Sequence, residues 1–555
     1  MKKLIITAIL MMAASLSLAD YHYAGHEGTN QYPYTSWETA ADSIQNAVDA
    51  SSPHDTVYIG AGEWIEEVVC EFYDSVAIIG MGWDSTYWHT DVYRTEALQL
   101  GDACSVEQIK FEHSDWRPVR ARSGGPSVVV HNCKFVNSLE ALELNGGISE
   151  VSHCLFDSCG DAVGILDYSG YFIISNNIIL NTTGSWALLI QSDSGLIENN
   201  IIISGFNTGI EADGAIVRNN VVIDGDHGIG AFGTQYNNTI IEQGMVGFMG
   251  YDSLFNNSIS QTRYGIYSDG DCYIAYNNFW NNTEDVAGDE LDSTVNIFCD
   301  PMFVSGIDVH LQAFSPLIDA GHPDWLDIDG SRSDIGAYGG PYGEIYEYPD
   351  LSPAVPDSLT GRFIADTVSI TWAYNTEADF SHYQLHKDTI SNFEPSIFNQ
   401  ISEPETSFYI DTDVDREHSY YYRIAAIDYQ ENLSDYSEEL EVVPTGIGDY
   451  PGASLPQITL IQTNYPNPFN TTTTIVYSVA NLGPIPAEIE INIYDIAGRK
   501  IKTLIRERRD LGEHSIIWDG KDDNGDDCST GVYFAKISQW GLEISGKPRK
   551  LVLIK

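Results

Sequence analysis

From residue 132 to residue 278 the chain repeats one short pattern: a polar dipeptide, a brief β-rich apolar run, then a glycine followed by an apolar residue. The dipeptides are Asn132-Cys133, His153-Cys154, Asn176-Asn177, Asn199-Asn200, Asn219-Asn220, Asn237-Asn238, Asn256-Asn257 and Asn277-Asn278, spaced by 18 to 23 residues. Runs such as Ile178-Ile179-Leu180, Ile201-Ile202-Ile203 and Val221-Val222-Ile223 follow them, and Gly209-Ile210, Gly228-Ile229, Gly247-Phe248 and Gly265-Ile266 come later in each repeat. A unit this short cannot bury an apolar face alone. Stacked units can, each pairing its strands with the next about 4.8 Å away. The pattern predicts a parallel solenoid with two inward columns on one face. One is polar: Cys133, Cys154, Asn177, Asn200, Asn220, Asn238, Asn257 and Asn278. The other, two positions on, is apolar: Phe135, Phe156, Ile179, Ile202, Val222, Ile240, Ile259 and Trp280. Stacked amides hydrogen-bond one another and the corner backbone, and asparagine tolerates the left-handed conformation a corner needs. The asparagines are therefore expected to be structural. No LxxLxLxxN signature and no helical stretch per repeat points to a leucine-rich alternative.

Both ends of the repeat add detail. Residues 43–49 read as a short amphipathic helix, followed by first-coil strands at 55–60 and 62–64. This resembles the cap of pectin-lyase-like right-handed β-helix proteins. The segments Asp300-Pro301-Met302-Phe303, Ser315-Pro316-Leu317-Ile318-Asp319-Ala320-Gly321 and Asp334-Ile335-Gly336-Ala337-Tyr338 are similar to the closing segment of many secreted bacterial β-helix proteins. The resemblance implies a right-handed β-helix over 20–348. Members of that family include lyases, hydrolases, epimerases and non-enzymes, so the fold leaves the activity open.

Pro349, Pro353 and Pro356 mark a linker. Short strands over 354–445, with Trp372 early and Tyr420-Tyr421-Tyr422 late, resemble a fibronectin type III sandwich whose Trp372 is core. After a second linker at 446–456, Asn464-Tyr465-Pro466-Asn467-Pro468-Phe469-Asn470, Tyr494-Asp495-Ile496-Ala497-Gly498-Arg499, Trp518-Asp519-Gly520 and Lys550-Leu551-Val552-Leu553 are similar, element by element, to the type A C-terminal sorting domain of the type IX secretion system. That resemblance spans 457–555. It implies a small antiparallel sandwich, the type IX machinery as partner, and a destination outside the cell or on its outer surface. The expected fold class is thus all-β: a right-handed parallel β-helix followed by two small β-sandwich domains.

The start of the chain agrees with export. Lys2-Lys3, the apolar stretch Leu4–Leu18 and Ser17-Leu18-Ala19 read as a signal peptide over 1–19, with Asp20 as the mature start. No later stretch has the roughly 20 apolar residues of a membrane span. Asp plus Glu number 80 against 27 Lys plus Arg, a formal charge of −53. Such a surface repels nucleic acid and excludes it as a partner. Eight cysteines contain no CxxC pair, so no zinc site is expected. Cys133 and Cys154 share a column, and either a disulfide or a stack of thiols fits there.

Chemistry is harder to find. No GxSxG, HExxH or phosphate loop occurs. Asn207, Asp226 with His227, and Arg263 with Tyr264 precede the Gly-apolar sites at matching offsets and should line one edge of the solenoid. Arg117, Arg120 and Arg122 cluster beside Trp116 and offer a second ligand-binding candidate suited to an acidic glycan. Asp327, Asp329 and Asp334 alternate as calcium ligands would, without the terminal bidentate Glu, so calcium is the one cofactor to consider. Two functions remain. One is an extracellular protein that binds polysaccharide or another surface ligand. The other is a polysaccharide lyase or glycoside hydrolase, with His227, Arg263, Tyr264 and Asp226 as the first residues to carry acid–base chemistry.

Overall fold

A computed structural model describes residues 19–444 and 459–553, apart from 71–74, 91–94, 102, 113–115, 122–126, 146, 167–169, 193, 251–252, 269–271, 289–293, 365–366, 468, 480–486, 496–497, 510–511, 540–541 and 544–547. The signal-peptide reading and Arg122 lie outside the described residues. The chain divides into two compact units, 1–444 and 445–555.

The first unit is built on a right-handed parallel β-helix. One face is a sheet of twelve parallel strands, from Tyr21–Ala24 through Thr56–Ile59 and Ala77–Ile79 to Tyr273–Ala275. The other two faces join into one parallel sheet of twenty short strands. Register is strict: Phe135 pairs with Phe156, Phe156 with Ile179, and Ile179 with Ile202. These residues are fully buried, and Phe111, Phe135 and Phe156 stack at 5.3 and 4.9 Å. The N-terminal end is closed by the helix Ile44–Asp49, which buries Ile44, Ala47 and Val48. Ser43 caps it, and the Glu66 carboxylate accepts the amide hydrogens of Ile44 and Gln45 at 2.8 and 3.2 Å, where a helix start favours negative charge.

The first residue of seven of the eight dipeptides takes the left-handed conformation: Asn132, His153, Asn176, Asn199, Asn219, Asn237 and Asn256 have φ between 51 and 57°. The next residue turns inward. Asn177 Nδ2 donates to Asn200 Oδ1 at 3.0 Å, Asn200 to Asn220 at 2.9 Å, Asn220 to Asn238 at 3.1 Å, and Asn238 to Asn257 at 3.0 Å. The ladder then runs to Asn277 and Asn296, not to Asn278. In that coil Tyr276, at φ 58°, is the corner residue, so Asn277 faces in and Asn278 begins the next strand. The same one-residue slip puts Phe279, rather than Trp280, opposite Ile259 in the apolar column. Cys133 and Cys154 are free thiols that extend the ladder: Cys154 N–H donates to Asn177 Oδ1 at 2.9 Å, and Cys133 N–H to Cys154 Sγ at 3.5 Å.

Residues 297–348 fold back along the outside of the solenoid. The outward asparagines of three dipeptides hold them. Asn219 Nδ2 donates to the carbonyls of Ala337 and Gly339 at 2.8 Å, Asn237 Nδ2 to Asp334 O at 2.9 Å, and Asn256 Oδ1 accepts from His322 N–H at 2.6 Å. Residues 360–442 form a sandwich of a three- and a four-stranded antiparallel sheet around Trp372, Tyr383, Leu385, Tyr422 and Ile424.

The second unit has its own antiparallel sheets, with Phe469, Trp518, Leu551 and Leu553 in a core. Asn467 clasps its last strand, accepting Val552 N–H at 2.6 Å and donating to Lys550 O at 3.1 Å. Asp522 accepts the amides of Asn524 and Asp526, both at 2.9 Å, and so closes a turn.

Candidate functional site

The structure places the predicted polar row on one edge of the long sheet. Thr208 pairs with His227, His227 with Val246, Val246 with Tyr264, and Tyr264 with Glu284. His227 and Tyr264 are thus two rungs, about 10 Å, apart along the axis. Asn207, Asp226 and Arg263 precede them and are exposed. His227 Nδ1 lies 3.3 Å from the Asn207 carbonyl, and Arg263 sits over the Tyr264 ring at 5.1 Å. Among the described residues no ion pair joins Asp226 to His227. The row therefore offers exposed polar groups on the rungs of Asn207, His227 and Tyr264, with the Val246 rung between the last two.

The arginine cluster is neutralised. Arg117 is buried and pairs with Glu140 at 2.7 Å and with Glu143, and its guanidinium sits over Trp116 at 4.6 Å. Arg120 pairs with Glu143 at 3.0 Å and Glu96 at 3.6 Å, and Trp116 Nε1 donates to Glu96 at 3.4 Å. Three carboxylates thus surround two guanidiniums, so among the described residues of the cluster the positive charge expected to attract an acidic glycan is paired.

The proposed calcium loop uses its carboxylates as turn acceptors. Asp327 accepts from the amides of Asp334 and Gly340, Asp329 from Ser331 N–H and Oγ–H at 2.9 and 2.6 Å. Asp334 accepts Asp319 N–H at 2.8 Å and the Tyr348 hydroxyl at 2.7 Å, and burial pushes its carboxyl up to about 6. These bonds fix the closing segment, and the three carboxylates do not converge on one point among the described residues.

Two features escaped the sequence reading. The first is a cleft of about 380 Å³ at the N-terminal end, lined by Tyr21, Tyr23, Trp37, Tyr58 and Met81. Tyr23 aligns with Tyr58 across the first two strands, their rings stacked at 5.6 Å, with Tyr21 5.9 Å from Tyr58. Trp37 arrives from the loop that joins Ala24 to the helix and meets Tyr23 edge-on at 4.8 Å. Glycines make room for it: a Cβ on Gly60 would lie 3.2 Å from the Trp37 ring, and one on Gly25 3.5 Å. Tyr21, Trp37 and Met81 remain 51, 43 and 53% exposed, and among the described residues no charged side chain lines the cleft. The visible signal was the alternation Tyr21-His22-Tyr23, with His22 buried and both tyrosines turned outward.

The second is Glu211, on the outer face of Thr208–Ala212 between Leu189 and Gly230. A side chain at Gly230 would collide with it: a Cβ there would sit 2.8 Å from Glu211 Oε2. Partial burial first, and the charge of Asp213 second, push its carboxyl above the usual range.

Comparison with known proteins follows these divisions. Residues 98–244 match the right-handed β-helix region family, and residues 463–552 match the secretion-system C-terminal sorting domain. The second match indicates handling by the type IX secretion system, and the protein is secreted or attached to the outer surface. No helix among the described residues is long and apolar enough to cross a membrane. No curated protein matches the chain. Among solved structures, it is similar to an Fn3-like protein from Clostridium thermocellum (22% identity over 17% of this chain and 96% of that one, TM-score 0.15). It is also similar to the FN1–FN3 domains of chicken CNTN1 (11%, 38% and 71%, TM-score 0.15). A third is the catalytic domain of a GH87 α-1,3-glucanase in complex with nigerose (15%, 53% and 69%, TM-score 0.31).

Proposed function

We propose that this exported β-helix protein binds a neutral polysaccharide outside the cell, gripping it in the aromatic cleft of its first coils. The observation that carries the reading is the cleft in which exposed Tyr21 and Trp37 stand beside half-buried Tyr23 and Tyr58, with no charged side chain in its lining among the described residues. A monomeric protein keeps large aromatic rings in solvent at a cost, and such clusters mark binding surfaces. Flat rings with hydroxyl edges suit the C–H faces and hydroxyls of a sugar. The formal charge of −53 and the pairing of Arg117 and Arg120 both disfavour a polyanion. Affinity electrophoresis through gels containing neutral glucans, mannans or xylans tests the reading. At least one should retard the protein, and Tyr21→Ala combined with Trp37→Ala should weaken retention about tenfold or more, as loss of two anchoring rings does at an interface. Unchanged retention in the double variant contradicts it.

Glu211 supports a second reading, glycoside hydrolysis. A half-buried carboxyl raised by burial and by a neighbouring carboxylate is poised as a general acid, and Asp213 is the partner carboxylate in the same segment. Under this reading reducing ends accumulate with a neutral glycan, and Glu211→Gln lowers the rate about 100-fold or more. A rate unaffected by Glu211→Gln removes Glu211 from the chemistry.

A further inference from the structure

Three carboxylates other than the aspartates singled out in the sequence converge in the first unit. Asp350 follows the closing segment of the solenoid, Asp379 precedes the strand Phe380–Asp388, and Asp428 ends the strand Tyr420–Asp428. One oxygen from each lies within 4.8 Å of the others. Asp428 is 2% exposed, and its oxygens accept the amides of Gln430 and Asn432 at 2.9 and 2.8 Å. The Asn432 side chain donates to Asp428 at 2.9 Å and to Asp350 at 3.0 Å.

Asp379 differs from its neighbours. It is 7% exposed, yet among the described residues its carboxylate takes no hydrogen bond from any other residue and pairs with no Lys, Arg or His. A buried carboxylate whose only donor is its own backbone amide, facing two more carboxylates, is unfavourable unless a proton or a cation joins it. Burial, then the charges of Asp428, Glu377 and Asp350, push Asp379 up to about 6. Two further oxygens on the same segments, Glu377 Oε2 and Gln430 Oε1, are buried and also lack a donor. Three carboxylates with one exposed side, beside two further undonated oxygens, suit a hard divalent ion that keeps some water.

We propose that Asp350, Asp379 and Asp428 bind one calcium ion, which fastens the segment leaving the solenoid to the sandwich. The exposed Asp350 is the entry side, and the two buried aspartates are the floor. Without the ion the acceptor-only floor repels itself; with it, two strands of the sandwich and the incoming segment share one ligand set.

Thermal melting of the full chain, stripped with EDTA and returned to calcium in 150 mM salt, tests this. At about ten times its Kd, calcium should raise the sandwich transition by about 6–11 °C, the shift mass action gives a domain of this size. Asp379→Asn should lose that shift, and it should melt above the wild type in EDTA because the repulsion is gone. Asp350→Asn, a surface change that leaves the core intact, should also lose the shift. A wild type unmoved by 10 mM calcium overturns the proposal. So does an equal calcium shift in both variants, which would place the ion among other surface carboxylates.

Discussion

Replacing Asn220 with alanine is expected to lower the stability of the solenoid by about 4 kcal/mol, measured as the shift in its denaturant unfolding midpoint. Asn220 accepts the backbone N–H and side-chain Nδ2 of Asn200 at 3.1 and 2.9 Å. It donates to the carbonyls of Ile197 and Arg218 at 3.0 and 2.9 Å. Truncation orphans the Asn200 N–H, takes one of three acceptors from Asn200 Nδ2, and removes the Asn220 amide from three acceptors, Ile197 O, Arg218 O and Asn238 Oδ1, in a site with no exposure. One orphaned donor costs about 1–3 kcal/mol and each further lost bond about 0.5–1.5 kcal/mol, which together reach the figure. The coils contact only their neighbours, so the damage should begin at one rung and spread. Asn207→Ala, on the exposed edge, should change stability by no more than about 0.5 kcal/mol. Equal effects of the two substitutions would show that the inward amides do not hold the coils together.

The second large effect concerns destination. Deleting residues 445–555 should abolish appearance of the protein outside the cell while leaving it folded. The removed part is a separate compact unit with its own core, and its match to the sorting family ends at residue 552. Fusing that unit to an unrelated secreted reporter should carry the reporter to the surface or medium, which separates a sorting defect from misfolding. Within the tail, Asn467 and Phe469 both bond the strand Arg549–Leu553, so the motif near the start of the domain and its final strand act as one structure. Undiminished extracellular protein after the deletion would contradict this assignment.

Much of the architecture was written in the sequence because the solenoid is periodic. A column of identical side chains at one offset is visible as soon as the period is found, and the buried amides and phenylalanines follow. The reading slipped by one residue where the asparagine pair lost its meaning. In the coil of Tyr276 a tyrosine occupies the left-handed corner, and pairing Asn277 with Asn278 mistook a strand residue for a rung. Asn296, which extends the ladder, was invisible because no polar residue precedes it to mark the corner.

The site was far less legible. Asn207, His227 and Tyr264 could be aligned by the repeat, but alignment does not show whether side chains meet. Arg117 and Arg120 stood out by charge, while their partners Glu96, Glu140 and Glu143 come from neighbouring coils and cancel it. The aromatic cleft depends on Trp37, which a loop outside the repeat delivers beside two glycines. Local alternation drew attention to Asp327, Asp329 and Asp334. The cluster of Asp350, Asp379 and Asp428 draws on three distant segments, which only folding brings together.

The central functional claim is that a neutral glycan docks on the first coils. Hydrogen–deuterium exchange of the full chain, with and without a saturating neutral oligosaccharide that retards it in gels, locates the contact directly. Slowed exchange confined to the backbone around Tyr21–Ala24, the Trp37 loop, Thr56–Ile59 and Met81 is the predicted result. Protection that falls instead along residues 207–264, with the first coils unchanged, would contradict it.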